Sequence, residues 1–264
     1  MSELGILYIQ KKKGILYESD HGKVSIIADA LYRLAKLDCI NGCFISPGYM
    51  CSTKNGKIIR EPVIELVQKT LYSDGNPQLS EFILLDSMAN SSREEYLEII
   101  SDLNINAFEL CDDALKDHRK MIFLYSGLIG GEKSDTEKIG KLTDIDFSKI
   151  KVKAVFVGSS NYSKNTYLGS EKGEADVILF DLSQLSIYEE LEKVELESIL
   201  VPKNIEDHHV GSYMSEEFRL PYEREVWNFN RDAIMTKSIH AVSDDYLDKI
   251  LRNTLEGKQM KLNI

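Results

Sequence analysis

The sequence predicts an α/β fold in which helices cover both faces of a β-sheet. Between residues 20 and 125, segments with helical apolar spacing alternate with short β-branched or aromatic runs. The chain has 264 residues, of which 43% are hydrophobic and 28% are charged. It is therefore long enough and apolar enough to bury the core that such a fold requires.

The helices are predicted from apolar residues that recur three or four positions apart and from residue types that begin helices. Ser19 or Asp20 can cap the first helix, and Pro62 suits the first turn of the second. Ser91 or Ser92 can cap the third. The predicted helices lie at about 24–37, 62–71, 96–100 and 244–255.

The strands are predicted from short apolar runs that end at turn-forming residues. The run at Val152–Val157 is almost continuously apolar, which is typical of a strand buried on both faces. Gly158, Ser159, Ser160 and Asn161 follow it and place small polar groups at the strand end, where sites of α/β proteins usually lie. A short apolar run lies at 4–9, and a second run at 14–17 could pair with it or pack on the domain. The predicted strands are 40–46, 82–85, 105–110, 121–125, 152–157 and 175–180.

Charge is distributed unevenly along the chain. The formal net charge is −11, which argues against non-specific nucleic-acid binding by the whole surface. Residues 116–172, however, contain 11 Lys or Arg and 7 Asp or Glu, a net charge of +4, so the remainder carries −15. A locally basic segment in an acidic protein predicts a focused anion site, and a solvated lysine-rich loop is the alternative.

Cysteine content and hydropathy exclude several classes of protein. Four cysteines are too few for a disulfide scaffold. Cys39 and Cys43 are four positions apart, but zinc would need a further close pair or histidines at ligand spacing, and the sequence has none. No apolar run approaches the roughly 18 residues that span a bilayer, and the first residues do not resemble a signal peptide. We therefore expect a cytoplasmic protein with reduced thiols, without a metal or other cofactor, and without a membrane as partner.

Residues suited to phosphodiester chemistry flank the last three predicted strands. His118 and Lys120 precede the first of the three and would share one face of an extended segment. Ser159 and Asn161 follow the second, and Glu174 leads into the third. A phosphodiester needs a nucleophile, positive charge for its oxygens and an acid for the leaving group. Histidine, lysine and asparagine can supply these without a metal.

The His-x-Lys motif at 118–120, the Gly-Ser-x-Asn motif at 158–161 and Glu174 together resemble the phospholipase D superfamily. The segment Val-Gly-Ser-Ser-Asn-Tyr-Ser is most similar to the restriction-endonuclease branch of that superfamily. The resemblance covers about residues 20–182. It implies a mixed β-sheet sandwiched between helices.

The resemblance also implies a role for each motif residue. His118 would be the nucleophile that forms a phosphohistidine, or the general acid on the partner subunit. Lys120 and Asn161 would bind the non-bridging phosphate oxygens, Ser159 would form hydrogen bonds within the site, and Glu174 would orient the imidazole. Family catalysis uses two histidines, whereas this chain has one complete motif. The implied assembly is a homodimer with its active site on the two-fold axis.

The sequence departs from the family pattern in two places. The family often has an aspartate at the position of Tyr125, and 38 positions separate Lys120 from Gly158, more than the family usually has. We assign the excess to a glycine- and charge-rich insertion at 126–150, which could cover the site or bind a partner. His21-Gly22-Lys23 repeats the His-x-Lys pattern, but no Gly-Ser-x-Asn motif follows it at a useful distance. We expect this segment and the remaining histidines (His208, His209 and His240) to serve surface or packing roles.

The domain prediction is a phospholipase D-like catalytic domain at 1–182 and an α-rich extension of unknown role at 183–264. Acidic residues outnumber basic ones in the extension, so it is poorly suited to read DNA alone, and a separate specificity subunit could supply recognition. The favoured function is a metal-independent DNA endonuclease of restriction or defence type. One alternative is a phospholipid phosphodiesterase, although the chain lacks a basic amphipathic membrane-binding helix. Another is a catalytically vestigial interaction subunit, an alternative suggested by the missing aspartate and the long insertion.

Overall fold

The computed structural model describes ten segments of the chain, which together form one main sheet, three small hairpins and six helices. The described segments are 2–11, 16–19, 21–47, 53–54, 57–85, 93–110, 120–128, 146–170, 173–197 and 233–255. The strands are β1 (Ser2–Lys11), β2 (Tyr17–Ser19), β3 (Gly22–Val24), β4 (Gly42–Pro47), β5 (Thr53–Lys54), β6 (Lys57–Ile58), β7 (Tyr72–Ser73), β8 (Asn76–Pro77), β9 (Glu81–Leu85), β10 (Asn106–Leu110), β11 (Lys120–Ser126), β12 (Lys151–Gly158), β13 (Glu174–Asp181) and β14 (Ala233–Val242). The helices are α1 (Ile26–Ala35), α2 (Arg60–Leu71), α3 (Arg93–Ser101), α4 (Lys164–Tyr167), α5 (Leu185–Glu197) and α6 (Tyr246–Leu255).

The main sheet is mixed and has eight strands in the order β10-β9-β4-β11-β12-β13-β1-β14. Strands β10, β9 and β4 are parallel to one another. From β4 onward each strand is antiparallel to the next. The parallel strands are connected through helices, β4 to β9 through α2 and β9 to β10 through α3, as expected for an α/β protein. The predicted α/β class is therefore confirmed.

Helices cover both faces of this sheet. Side chains of α1, α2, α3, α4 and α5 form one apolar core with one face of the sheet, and α6 forms a second core with the other face. On β12, Ala154 and Phe156 belong to the first core, whereas Val155 belongs to the second. Burial on both faces explains why this strand has no polar alternation in the sequence.

The chain from residue 183 onward contributes to the same sheet and its covering layers. Strand β14 pairs with β1 over its whole length, from Ser2 opposite Val242 to Lys11 opposite Ala233. Helix α5 packs on α1, and α6 packs on β12 and β13. The sequence predicted an α-rich extension here, whereas the described part of this segment supplies an edge strand and two helices to the main fold.

The predicted insertion at 126–150 does not separate the strands on either side of it. Strands β11 and β12 are neighbours, and Ser126, the last residue of β11, pairs with Lys151, the first residue of β12. The residues of the insertion at 129–145 lie outside the described part of the chain. Both ends of the insertion lie at one edge of the sheet, about 24 Å along β12 from Gly158.

Candidate phosphate-binding site

Three of the sequence motifs meet at one edge of the main sheet. Strand β11 begins there with Lys120, β12 ends there with Gly158, and β13 begins there with Glu174. Strand β1 ends at the same edge with Lys11, which pairs with Glu174. We call this edge, defined by these four residues, the site edge. Since β11, β12, β13 and β1 are adjacent, it spans about 14 Å from the first strand to the fourth.

Strand register places the motif residues side by side and on one face. Met121 pairs with Val157, so Lys120 comes beside Gly158 one position further along the antiparallel pair. Gly158 in turn pairs with Asp176. Because side chains alternate along a strand, Lys120 lies on the same face as Ile122, which packs in the core below α1 to α5. The strand that follows the His-x-Lys motif and the strand that ends in the Gly-Ser-x-Asn motif are therefore neighbours in the sheet.

Glycine at position 158 is required by the close approach of β12 to β13. A Cβ atom at this position would lie 2.6 Å from the Cα of Asp176 and would also overlap the Ala175 carbonyl oxygen and the Asp176 carboxylate. Ordinary carbon contacts lie at about 3.5–4.0 Å. Glycine therefore lets the backbone enter the turn directly against its neighbour strand.

Ser159 and Glu174 are joined directly across the two strand ends. The Ser159 hydroxyl donates to Glu174 Oε2 at 2.5 Å and accepts from the Ala175 amide at 2.9 Å. The Ser159 amide also donates to the Ala175 carbonyl at 2.9 Å. Ser159 is exposed and Glu174 is partly exposed, so both lie at the surface of the site edge. The hydroxyl is thus committed to orienting the carboxylate.

Ser160 is held by a second carboxylate that the sequence reasoning missed. Its amide donates to Asp176 Oδ1 at 3.2 Å, and its hydroxyl donates to Asp176 Oδ2. Asp176 is buried, and burial raises the pKa of its carboxyl group above the ordinary value, although the Ser160 hydrogen bonds act in the opposite direction. The signal in the sequence was an aspartate at the start of an otherwise apolar strand.

The segment after Asn161 is fixed to the helical layer. The Tyr162 hydroxyl, which is buried, lies 2.8 Å from Thr70 Oγ1 on α2. The Asn161 carbonyl accepts from the Ser163 amide at 2.8 Å, and the short helix α4 follows at once. Asn161 is partly exposed between these two attachments. The turn therefore presents its amide side chain from a backbone that is held on both sides.

Lys11 is a further charged group at the site edge that the sequence reasoning did not select. Its side chain is only 1% exposed, and its ammonium donates to the carbonyl oxygens of Thr166 at 2.6 Å and Gly169 at 2.7 Å. Burial lowers the pKa of Lys11 from 10.5 to about 8, although Glu174 and Asp176 oppose that shift. In the sequence Lys11 begins a run of three lysines, which is normally the signature of a solvated segment.

Of the five predicted site residues, the structure brings four to the site edge. These are Lys120, Ser159, Asn161 and Glu174. The fifth, His118, lies outside the described residues, two positions before the first residue of β11. Lys120 is partly exposed. The described arrangement offers a positive side chain, an amide and an oriented carboxylate, which is a suitable set for a phosphate and an imidazole.

The second His-x-Lys sequence occupies a different environment. His21 and Lys23 flank Gly22 at the small β2–β3 hairpin, which is not part of the main sheet. The His21 ring stacks on Tyr32 with a centroid distance of 3.8 Å, and its Nε2 lies 3.2 Å from Asp29 Oδ1. His21 also lines a cavity of about 710 Å³ beside α1 and α2, and none of the described site residues Lys120, Ser159, Asn161 and Glu174 lines it.

The remaining predictions about single residues concern metals, thiols and other histidines. No group of three or more His, Cys, Asp or Glu that could hold a metal ion occurs among the residues that the structure describes. Cys39 and Cys43 are free thiols, and burial is the main cause that raises the pKa of Cys43 above its ordinary value. His240 lies on β14 opposite Leu4, far from the site edge. His208 and His209 lie outside the described residues.

Comparisons with known proteins give no family assignment. Neither a scan against models of protein families nor a search of curated proteins finds a match to this chain. Within the described segments, no helix is both long and apolar enough to cross a bilayer.

Proposed function

We propose that this chain is a metal-independent phosphodiesterase with a phospholipase D-like fold that cleaves DNA through a covalent phosphohistidine. The observation that carries the proposal is the convergence at the site edge. Lys120 and Gly158 are 38 positions apart in the sequence but lie on neighbouring strands, and Glu174 begins the next strand. The mixed sheet with helices on both faces agrees with the fold that the resemblance implies.

The proposed reaction has two steps, and both conserve atoms and protons. In the first, the imidazole nitrogen of His118 attacks phosphorus, the P–O ester bond breaks, and the leaving oxygen takes a proton from His118 of the partner subunit. In the second, that histidine removes a proton from water, the water oxygen forms a bond to phosphorus, and the P–N bond breaks. The products are an alcohol end and a phosphate end, with one water consumed.

The described residues have separate tasks in this reaction. The positive charge of Lys120 stabilises the negative charge that builds up on the non-bridging oxygens, and the Asn161 amide positions these oxygens by donating hydrogen bonds. Glu174 accepts a hydrogen bond from the Ser159 hydroxyl through Oε2. Its Oε1 would then accept a hydrogen bond from a ring N–H of His118. A carboxylate in this position fixes the tautomer, so that the other ring nitrogen keeps the lone pair needed for attack.

The substrate is proposed to be DNA for two reasons. The sequence around the Gly-Ser-x-Asn motif is most similar to the restriction-endonuclease branch, and residues 116–172 carry a net charge of +4. Two subunits are proposed because one chain supplies one motif histidine. A homodimer with its two-fold axis at the site edge would place both histidines around one phosphate.

Cleavage of plasmid DNA in the presence of EDTA tests this proposal. We expect wild-type cleavage to persist without divalent metal, and to fall at least a hundredfold in His118→Ala and Lys120→Ala, because each removes a group that acts in the transition state. Lys23→Ala is the matched control, since Lys23 is exposed and belongs to the other His-x-Lys sequence.

The alternatives make different predictions in the same assay. Phosphatidylcholine vesicles presented in parallel would release phosphatidic acid if the substrate were a phospholipid. A vestigial interaction subunit would cleave neither substrate. Cleavage of DNA that is abolished by EDTA, or that survives in His118→Ala, would contradict the proposed mechanism.

A further inference from the structure

We infer that Lys11 is a positioning residue of the site: it holds the segment after the phosphate-binding turn and balances the negative charge of Glu174 and Asp176. The inference rests on the proposed function, because it concerns how the same site binds a phosphate. It adds a residue that lies on β1, outside all three motifs.

The first contribution of Lys11 is mechanical. Helix α4 is a single turn, and the carbonyl groups at the end of a helix lack partners within it. The Lys11 ammonium supplies two hydrogen bonds, to the carbonyl oxygens of Thr166 and Gly169. Lysine side chains commonly bind the last carbonyls of a helix in this way. The end of α4 is thereby tied to the end of β1.

This attachment supports the segment that carries Asn161. On one side of Asn161, Ser160 is held to Asp176 on β13. On the other side, the chain passes through Tyr162, which is anchored to α2, into α4, which Lys11 holds. Loss of the Lys11 contacts would free α4 from β1, while the Tyr162–Thr70 contact and the Ser160–Asp176 hydrogen bonds would remain.

The second contribution is electrostatic. Two carboxylates, Glu174 and Asp176, lie at an edge that is proposed to bind an anion, and their charge would repel it. Lys11 is paired with Glu174 across β1 and β13, and the negative charges of Glu174 and Asp176 stabilise the protonated form of Lys11. Strand β1 lies two strand spacings, or about 10 Å, from β12, so the positive charge of Lys11 offsets part of that repulsion.

Among the side chains that the structure describes, the titratable groups around Lys11 are on two elements. Glu174 and Asp176 face it from β13, and Tyr167 on α4 lies close enough to both carboxylates for their charges to raise its pKa, although burial is the main cause. Because burial lowers the pKa of Lys11 to about 8, the electrostatic contribution should disappear in mildly alkaline solution. The mechanical contribution should persist, since a neutral amine still donates two hydrogen bonds.

The test compares wild type with Lys11→Met, which has a similar length and no charge, and with Lys23→Met as an exposed control. Affinity for inorganic phosphate, measured by titration calorimetry, should be about tenfold weaker in Lys11→Met at pH 7, as expected for one charge acting over about 10 Å at an effective dielectric constant near 20. The ratio of the phosphate affinity of wild type to that of Lys11→Met should fall as the pH rises from 7 to 9.5. A ratio that stays constant over this pH range would show that the charge of Lys11 does not contribute to phosphate binding.

Amide hydrogen exchange is the second readout, and it does not depend on phosphate binding. Exchange at residues 163–169 should accelerate at least tenfold in Lys11→Met and remain unchanged in Lys23→Met. Unchanged exchange in Lys11→Met would overturn the inference. If wild type fails to bind phosphate while exchange accelerates in Lys11→Met, the proposed function fails and the positioning role of Lys11 stands.

Discussion

Replacement of Gly158 by alanine probes the contact between β12 and β13 on which the site edge depends. The new Cβ would lie 2.6 Å from the Asp176 Cα, about 1 Å closer than an ordinary carbon contact. Two of the three overlapping groups are backbone atoms of β13, which cannot move away by rotation of a side chain. Relief therefore requires the two strand ends to separate, and that separation would break the hydrogen bonds that hold Ser159 and Ser160.

We expect Gly158→Ala to lower the free energy of unfolding by about 2–3 kcal/mol, the upper part of the range for overpacked substitutions. Urea unfolding followed by circular dichroism measures this change, and plasmid cleavage should fall in parallel. Gly75→Ala is the control: nothing lies within 4 Å of its Cβ, and its φ of +78° gives a cost of about 1–2 kcal/mol without reaching the site. A Gly158→Ala protein within 0.5 kcal/mol of wild type and fully active would refute the close approach.

Three further predictions concern stability, pH dependence and assembly. Tyr162→Phe should lower the free energy of unfolding by about 1 kcal/mol, because the buried hydrogen bond between Tyr162 and Thr70 is lost while Thr70 still donates to the Leu66 carbonyl, and urea unfolding measures the loss. The pKa of Lys11 is about 8 in the folded chain and about 10.4 in the unfolded chain. Between these two pH values, Lys11 is therefore protonated mainly in the unfolded state. Unfolding free energies measured from pH 8 to 10.5 should therefore rise for wild type relative to Lys11→Met, and a parallel pair of curves would contradict the lowered pKa. Light scattering after size exclusion should give twice the chain mass of 30.0 kDa, and a monomer that cleaves DNA would contradict the shared site.

Introducing an aspartate at position 125, where the resemblance to the phospholipase D superfamily would lead one to expect it, should damage the protein rather than improve it. Tyr125 is fully buried at the opposite end of β11 from Lys120, and its hydroxyl donates to Glu81 Oε2 at 2.8 Å. Tyr125→Asp would bury a second carboxylate beside Glu81 and leave a cavity, so we expect loss of folding by circular dichroism. Tyr125→Phe should keep DNA cleavage while losing about 1–3 kcal/mol of stability. Loss of cleavage in a folded Tyr125→Phe protein would contradict this separation.

The local sequence pattern was sufficient to predict the helices and strands that have an uninterrupted pattern of buried apolar residues. The apolar run at 152–157 predicted β12 because a strand covered on both faces needs apolar side chains on both. The helical spacing at 24–37 and 244–255 predicted α1 and α6 within two residues at each end. The candidate site residues were predicted from their types and order, and the local pattern did not show that they meet.

Pairing between distant segments could not be read from the same patterns. Strand β14 was missed because its residues do not alternate clearly and its partner, β1, is more than 200 positions away. Lys11 was missed for the same reason: a lysine that begins a basic run becomes buried only when β1 pairs with β13. Asp176 lies two positions after Glu174 on the same strand face, yet only the turn at Ser160 reveals its function.

Covalent trapping of the reaction intermediate tests the central claim most directly. Wild-type protein would be mixed with a pool of DNA duplexes labelled at both ends, in EDTA, quenched under alkaline denaturing conditions during turnover, and digested for mass spectrometry. We predict that the DNA-linked phosphoryl group is found on the imidazole of His118 and that Lys120→Ala greatly reduces it. Turnover without any adduct, or with the phosphoryl group on another residue, would contradict the proposed site.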